Sequence, residues 1–234
     1  MPDFSIRSYQ KEILDKDDIP FEDIKQNMKE LNIINQKLGG HVITISGLKK
    51  FLPGKTNSLL CIAEIGCGGG DNLSAINNYC HKIKQPVSFM GIDIKQSCIE
   101  YAKQQHPQMN TEWIVSDYSK VEFTNNPDII FSSLFCHHFT NEELVFMLKW
   151  MKDNTKLGFF INDLQRHPLA WFLIKWITRL FSKSYLVKND APVSVTRGFT
   201  KKEWKQLLTD AGIEKYSIQW KWAFRFLIVV KNAG

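Results

Sequence analysis

The segment Leu59–Asp71, LLCIAEIGCGGGD, constrains the fold more than any other part of this sequence. An apolar run leads into Glu64, and Gly66, Gly68 and Gly70 then follow at every second position. An apolar run that is closed by glycines predicts a buried parallel strand and its exit turn. The next residues, DNLSAINNY, have the apolar spacing of a helix. Strand, turn and helix together predict the first unit of a doubly wound α/β sheet, which binds nucleotides at the carboxyl ends of its strands.

The spacing of the glycines indicates which kind of nucleotide fits. A dinucleotide-binding turn reads GxGxxG and holds the pyrophosphate at the helix N-terminus. Here Asp71 occupies the place of the last glycine, and Glu64 precedes the turn, where a carboxylate repels phosphate. Glycine suits such a turn because a ligand that lies on the backbone leaves no room for a Cβ atom. The pattern favours a cationic nucleoside, and a tight turn without a ligand is the alternative.

Composition limits the number of domains and the class of partner. The 234 residues, 44% of them hydrophobic, suffice for one α/β domain with additions. The net charge of +6 is spread along the chain, which permits contact with nucleic acid or an anionic membrane but argues for neither. The five cysteines lack CxxC spacing, so we expect reduced, buried thiols and assign no metal ligand. A polar N-terminus and the lack of a spanning apolar run predict a cytoplasmic protein.

Residues 1–57 precede the glycine-turn strand and are predicted to form a helical cap on a domain that comprises residues 58–234. Pro20 opens a helical pattern that ends at Gly39–Gly40, and VITISGLKKFL predicts a second helix. Pro53 and Gly54 are expected to break the chain before the first strand. The two helices either close over the carboxyl edge of the sheet or cover one of its faces, and the sequence leaves both open.

Acidic and polar residues follow each of the next predicted strands. PVSFMGIDI ends in Asp93, about twenty residues beyond the glycine turn, where an acid hydrogen-bonds the ribose hydroxyls of a nucleoside. TEWIVSD ends in Asp117, PDIIFSS is followed by the pair His137–His138, and LGFFIND ends in Asp163. Polar residues at the end of a buried strand are unfavourable unless they serve a site. Their repetition after successive strands predicts one site along the carboxyl edge of the sheet.

These features together resemble a known family. The pattern ExGxGxG resembles motif I of class I methyltransferases that use S-adenosylmethionine (SAM). The NxxLGG motif at residues 35–40, the His-His turn and the NDLxR segment resemble small-molecule methyltransferases found beside type III polyketide synthases and in quinone or pigment pathways. The resemblance covers nearly the whole chain and departs from the family at Gly69, where Ser or Thr is more common. It implies a Rossmann-like seven-stranded sheet of order 3-2-1-4-5-7-6 with an N-terminal helical cap.

The resemblance also implies a cofactor, a reaction and a set of contacts. SAM is expected as the methyl donor and S-adenosylhomocysteine (SAH) as its product. Asp117 is implied to accept a hydrogen bond from the adenine amino group, and Tyr118 to cover the adenine ring. The residues expected to contact the cofactor are Glu64, Gly66, Cys67, Gly68, Gly70, Asp93, Ile94, Asp117, Tyr118 and Ser133. The implied acceptor is small, largely apolar and phenolic or polyketide-derived, with O-methylation favoured; C-methylation of a quinone-type ring and non-catalytic SAM binding are the alternatives.

Three residues are predicted on the acceptor side. His137 is the first candidate for a general base, because an imidazole pKa near 6.5 suits proton transfer at neutral pH. A purely structural role of His137 is equally open. Asp163 is expected to orient that histidine or to accept the proton itself, and Arg166 to hold an acidic or phenolate oxygen.

The segment 169–181, LAWFLIKWITRLF, predicts an amphipathic helix beside the site. Its cations Lys175 and Arg179 share one narrow face, so the helix is either a lid over an apolar pocket or an interfacial helix in transient contact with a membrane surface. We favour the lid and expect Trp171 and Trp176 to contact the acceptor. The segment that follows, SKSYLVKNDAPVSVTRGF, is predicted as a loop that closes one side of the site. No nucleic-acid partner is expected, because SSLFCHH differs from the Asp/Asn-Pro-Pro-aromatic turn of enzymes that methylate nucleic acids at an amino group.

Overall fold

The computed structural model describes residues 2–16, 18–52 and 58–232. Seven strands form a single sheet in the order β3-β2-β1-β4-β5-β7-β6, as predicted. The strands β1 to β5 are parallel, whereas β7 pairs antiparallel with both β5 and β6. The predicted break at Pro53 and Gly54 lies outside the described residues. The strands are β1 Leu60–Ile65, β2 Val87–Asp93, β3 Thr111–Val115, β4 Ile129–Ser133, β5 Gly158–Leu164, β6 Tyr216–Lys221 and β7 Arg225–Lys231.

Eight α-helices lie within the described ranges. Thr140 and Thr200 start two of them with capping boxes, in which the threonine hydroxyl and a glutamate three residues later satisfy each other's free backbone N–H groups. The helices are α1 Phe21–Lys37, α2 Gly40–Leu48, α3 Asp71–Ile83, α4 Gln96–Gln105, α5 Asn141–Asp153, α6 Pro168–Phe181, α7 Tyr185–Arg197 and α8 Lys201–Asp210.

Helix α7 corrects the sequence analysis, which predicted a loop over this segment. Ser184 caps the helix by accepting a hydrogen bond from the backbone N–H of Val187. Pro192 lies inside the helix, a position that usually disfavours helical structure. Burial of Leu186, Val187 and Val195 outweighs that local preference and fixes the segment as a helix.

The two faces of the sheet are covered by different helices. On one face, buried residues of α5 and α8 pack against the strands, with Trp204 of α8 fully enclosed. On the other face α2 approaches β5 so closely that a Cβ atom on Gly47 would lie 2.4 Å from the ring of Phe160. Helix α2 thus covers a face of the sheet, whereas α1 lines a cavity at the carboxyl edge. Both alternatives left open for the N-terminal helices are therefore realised, one by each helix.

Residues 2–16 run across the carboxyl edge of the sheet and are called the N-terminal strap below. Lys95, just after β2, donates hydrogen bonds from Nζ to the carbonyl oxygens of Leu14 and Lys16. On the opposite side, the carboxylate of Asp190 in α7 accepts from the backbone N–H groups of Ile13 and Leu14, at 2.8 and 3.0 Å. The strap therefore bridges the β2 end and α7, directly above the strand ends where the sequence places the site.

Candidate active site

The glycine turn after β1 has the backbone that its sequence predicts. Gly66, Gly68 and Gly70 all have positive φ angles, of 68°, 51° and 78°. A Cβ atom on Gly66 would lie 2.2 Å from the ring of Phe135, and one on Gly70 would lie 2.5 Å from the ring of Trp113. Space remains open only beside Gly68. The outer glycines are thus needed for packing against aromatic rings, and the middle one leaves room for a ligand.

Glu64 lies at the end of β1 and is fully buried. Its Oε1 accepts a hydrogen bond from Nδ2 of Asn72 at 2.9 Å, while Oε2 has no partner among the described residues. Burial raises the pKa of this carboxyl well above its ordinary value, because the charged form loses its hydration. A cationic group beside the turn would satisfy the free oxygen and restore the charge. This orphaned oxygen fits a sulfonium or ammonium ligand.

Asp93 joins the end of β2 to the glycine turn. Its carboxylate accepts from the backbone N–H groups of Gly68 and Lys95, each at 2.9 Å. The neighbouring Ile94 exposes its side chain to solvent. Asp117, after β3, accepts from the N–H and the hydroxyl of Ser119 and so caps one turn of 3-10 helix. Both acids are ordered at the edge where the sequence placed a nucleoside.

Three further residues predicted to contact the cofactor are more enclosed than expected. Tyr118 is buried and packs edge-on against the ring of Trp150, with 5.2 Å between ring centroids, so little of its ring is accessible. Cys67 is buried among apolar side chains, and burial raises the pKa of its thiol well above the ordinary value. Ser133 at the end of β4 accepts a hydrogen bond from Nδ2 of Asn162. Their contacts with a cofactor stay a prediction.

His137 lies between two carboxylates. Its Nδ1 is 2.8 Å from Oδ1 of Asp163, and its Nε2 is 3.6 Å from Oε1 of Glu12, a residue of the strap. Burial lowers the pKa of His137, but the carboxylates of Asp163 and Glu12 outweigh that effect and raise the pKa from 6.5 to about 9. The pKa near 6.5 expected from sequence is therefore wrong, and with it the reason for taking this imidazole as a base at neutral pH. Glu12 carries no local sequence signal that could have revealed this contact.

Asp163 is fully buried and fixes the position of His137. Besides the contact with Nδ1, its carboxylate accepts from the backbone N–H groups of His137 and Leu164, at 3.3 and 2.7 Å. The pKa of Asp163 is lowered, because the neighbouring imidazole outweighs the effect of burial. Asp163 thus acts as an orienting group whose oxygens are already in use.

Two buried arginines that the sequence analysis missed hold the backbone of the His-His turn. Arg7 of the strap donates from Nη2 to the carbonyl oxygens of His137 and Phe139. Arg197, the last residue of α7, donates from Nε to the carbonyl of His137 at 2.9 Å and from Nη2 to that of His138 at 2.7 Å. The strap and the end of α7 therefore clamp this turn, and its two imidazoles are rigidly placed.

Arg166 differs from its predicted role. Its guanidinium pairs with the carboxylate of Glu203 at 2.7 and 3.0 Å and donates to the carbonyl oxygens of Phe4 and Gly198. All three nitrogens are thus engaged inside the protein, on the strap and the start of α8. Arg166 ties these segments together and does not line the cavity described next.

A cavity of about 400 Å³ opens beside the carboxyl ends of β4 and β5. Its walls are mainly apolar side chains from α1, α6, α7 and the turn between β6 and β7. Glu12, His137 and His138 also line it, as does Arg225 at the start of β7. Its apolar walls include Leu31, Ile34, Ile174, Ile177, Trp220 and Trp222. An apolar chamber with a few polar groups is typical of a small-molecule site.

Arg225 is the most unusual polar residue of this cavity. Its side chain is 3% exposed, and Nη2 donates to Oδ1 of Asn35, the first residue of the NxxLGG motif, at 2.8 Å. Neither Nε nor Nη1 has a hydrogen-bond partner among the described residues. Burial lowers the pKa of this guanidinium from 12.5 to about 10. The role of holding an anion, which sequence assigned to Arg166, thus fits Arg225.

Helix α6 lies over the cavity, where the lid interpretation places it. Ile174 and Ile177 face the cavity, whereas the opposite face exposes Phe172 and Trp176 to solvent. Neither Trp171 nor Trp176 lines the cavity, so their expected contact with the acceptor stays a prediction. No helix in the described part of the chain is long and apolar enough to cross a membrane.

Comparison with known families finds a match for the segment that contains the glycine turn and the His-His turn. Residues 62–158, from β1 to the start of β5, match the model of the methyltransferase domain family. The chain matches this family over that segment, which is about 41% of its length. Its sheet order is that of class I methyltransferases, and the cofactor of the family is SAM. No curated protein matches the sequence.

Solved structures of methyltransferases share the fold. The plantazolicin methyltransferase BpumL in complex with SAH is 17% identical with a TM-score of 0.63, over 90% of this chain and 99% of that one. Human N-acetylserotonin methyltransferase in complex with SAM is 17% identical with a TM-score of 0.64, over 92% of this chain and 57% of that one. Magnesium protoporphyrin IX methyltransferase from Synechocystis PCC 6803 is 11% identical with a TM-score of 0.56, over 85% of this chain and 82% of that one. At these identities the likeness establishes the fold alone.

Proposed function

We propose that this methyltransferase acts on a small, largely apolar acceptor that carries an acidic oxygen group, with O-methylation as the reaction. The observation that carries the proposal is the cavity beside β4 and β5. Its walls are mainly apolar and include Arg225, two of whose buried side-chain nitrogens have no hydrogen-bond partner among the described residues. A buried guanidinium is costly unless an anion pairs with it, so a carboxylate or phenolate is the complementary ligand. N-Acetylserotonin methyltransferase, one of the proteins with this fold, is named for a small aromatic acceptor, which agrees with such a substrate.

The chain's own residues supply binding and orientation. SAM, when bound, supplies an electrophilic methyl group on a sulfonium centre. The free oxygen of Glu64 suits its positive charge, Asp93 beside the glycine turn is the proposed partner of its ribose, and open space lies beside Gly68. The remaining task is to hold the acceptor oxygen in line with that methyl group and to exclude water, which accounts for much of the rate of such displacements.

Arg225 also favours the reactive form of an acceptor. A phenol has a pKa near 10 and is mostly protonated at neutral pH. A guanidinium within hydrogen-bonding distance stabilises the phenolate and lowers that pKa. C-methylation of an activated ring uses the same cavity, and non-catalytic SAM binding uses only the cofactor side. NMR spectra of a methylated product separate O- from C-methylation, and non-catalytic binding gives no product.

Calorimetry tests the cofactor side first. SAH should bind with micromolar-scale affinity and NAD should not, because the buried carboxyl of Glu64 favours a cationic ligand over a pyrophosphate. Asp93→Ala should weaken SAH binding by about 2–3 kcal/mol, since charge-assisted contacts with the ribose are lost. Equal binding of NAD and SAH would contradict the proposal. Turnover is then tested by mass spectrometry of a panel of phenols and aromatic acids incubated with the protein and labelled SAM.

A second measurement distinguishes the two sources of the anion at Arg225, which are the acceptor and the methionine carboxylate of the cofactor. Methylthioadenosine lacks that carboxylate, so SAH and methylthioadenosine are compared in the wild type and in Arg225→Met. If Arg225 binds the acceptor's anion, Arg225→Met should leave the affinities for SAH and methylthioadenosine unchanged. The variant should then lose only the methylation of the acceptor. If instead the preference for SAH collapses in the variant, Arg225 binds the cofactor, and the acceptor needs no acidic group.

A further inference from the structure

Three side chains at the floor of the cavity converge on one point. Nε2 of His137 lies 3.6 Å from Oε1 of Glu12, and Nε2 of His138 lies 3.9 Å from Oε2 of the same carboxylate. Each residue offers a ligand atom within 4.8 Å of the other two. Metal–ligand bonds of 2.0–2.2 Å in a tetrahedral zinc site place ligand atoms about 3.4 Å apart. The two nitrogen–oxygen separations thus exceed that value by about 0.2 and 0.5 Å, and the two imidazole nitrogens lie within 4.8 Å of each other.

Each of the two histidines has its other ring nitrogen held by a further carboxylate. Nδ1 of His137 is 2.8 Å from Oδ1 of Asp163, and Nδ1 of His138 is 3.1 Å from Oδ1 of Asp15. Metal-binding histidines almost always donate the second N–H to a carboxylate or carbonyl, which fixes the tautomer with the free lone pair on the metal side. In both imidazoles here Nδ1 faces such a carboxylate and Nε2 is directed at Glu12.

The site is also rigid and open on one side. Glu12 is buried, and the hydroxyl of Ser194 donates to its Oε1 at 2.6 Å. Arg7 and Arg197 clamp the carbonyl oxygens of the His-His turn. All three candidate ligands line the apolar cavity, so three protein ligands leave a coordination position that faces it. Two imidazoles, one carboxylate and an open position are the donor set of catalytic zinc sites.

We propose that Glu12, His137 and His138 bind a divalent transition-metal ion, with zinc as the best fit. Methyl transfer from SAM does not itself require such an ion, so the inference goes beyond the proposed function. Nitrogen donors favour zinc or cobalt over magnesium, which prefers oxygen ligands. An ion here joins the N-terminal strap to the turn after β4. Where the proposed function holds, its open position polarises an acceptor oxygen in the cavity.

The test is a metal titration of the full chain after treatment with a chelator. Co²⁺ is added while its visible absorption is recorded, Zn²⁺ is then used to displace it, and mass spectrometry of bound metal gives the stoichiometry. We expect one ion per chain. Zn²⁺ should displace the bound Co²⁺, and an equal concentration of Mg²⁺ should not. Glu12→Gln and His138→Gln should each weaken binding at least tenfold, and Asp15→Asn should weaken it by about 10–100-fold. His81→Gln, an exposed histidine of α3, is the matched control and should bind as the wild type does.

A direct location of the ion removes any dependence on how the variants fold. Anomalous scattering from crystals soaked in Zn²⁺ should place the ion between Glu12, His137 and His138. An ion located elsewhere, wild-type binding by both ligand variants, or no Co²⁺ binding at millimolar concentration would overturn the inference. SAH binding is measured in the same samples. Metal binding without SAH binding rejects the proposed function alone, and SAH binding without metal binding rejects this inference alone.

Discussion

The guanidinium of Arg225 makes a quantitative prediction about stability. In the unliganded protein two of its three nitrogens lack hydrogen-bond partners among the described residues. The fall of its pKa from 12.5 to about 10 corresponds to about 3 kcal/mol against the charged form, at 1.36 kcal/mol for each pKa unit. Arg225→Met removes that cost but also the hydrogen bond to Asn35, worth about 1.5 kcal/mol. The substitution should therefore stabilise the unliganded protein by about 1–2 kcal/mol.

Arg166 provides the matched control, because it is as buried as Arg225 but fully paired. Arg166→Met leaves Glu203 and two carbonyl oxygens without their partner, and Glu203 is only partly exposed. The free energy of unfolding should fall by roughly 2–4 kcal/mol, which is below the largest losses for broken buried ion pairs. The two substitutions remove the same charge and add the same side chain. They should nevertheless shift the stability of the protein in opposite directions.

Thermal unfolding without ligand measures both effects. A chain of this size changes its Tm by about 2–4 °C for each kcal/mol. Arg225→Met should thus raise the Tm by about 2–8 °C, and Arg166→Met should lower it by at least about 4 °C. A lower Tm in Arg225→Met, of similar size to that in Arg166→Met, would refute the reasoning. It would mean that the guanidinium is satisfied within the protein and that no anionic ligand is needed.

Three further predictions follow from single residues. Ile177→Trp fills the cavity, so it should abolish acceptor methylation while calorimetry still shows SAH binding. Trp176→Ala, on the exposed face of α6, is its control and should leave turnover unchanged. Gly68→Ala introduces strain of about 1–2 kcal/mol at a positive φ and narrows the open space, so both the Tm and the SAH affinity should fall. Burial raises the pKa of Asp71 from 3.8 to about 6, so its ionised form opposes folding above pH 6. Asp71→Asn should raise the Tm at pH 7.5 and have little effect at pH 4, and equal effects at both pH values would contradict this assignment.

The sheet and the residues at its strand ends were predictable from sequence, because parallel strands bring their carboxyl ends to one edge. Glu64, Asp93 and Asp163 follow directly from that rule, since each ends an apolar run. The rule needs only local pattern and strand order. It says nothing about which loops or chain ends lie above the edge.

The rest of the site depends on contacts between residues far apart in the chain. Glu12 lies in a polar segment without periodicity, so no local signal joins it to His137. Arg166 and Arg225 are alike as residues near strand ends, and only the antiparallel register of β7 places Arg225 beside Leu164 and the cavity. Helix α7 was missed because Pro192 indicates a loop locally, while burial of its apolar face decides the outcome. Local reasoning therefore predicts the residues at the strand ends better than the contacts that the strap, α7 and β7 add.

The clamp on the His-His turn has a consequence for how the protein is made. One arginine of the clamp, Arg7, is synthesised among the first residues, whereas the other, Arg197, follows 190 residues later, and Arg7 donates from Nε to its carbonyl oxygen. The parallel strands β1 to β5 are complete by Leu164. Domains fold from the N-terminus as the ribosome proceeds, so the parallel sheet can form while the strap has no Asp190 or Arg197 to bind. The contacts of the strap with Lys95 and the His-His turn are available at that stage, whereas its contacts with Asp190 and Arg197 are added only once α7 has been synthesised.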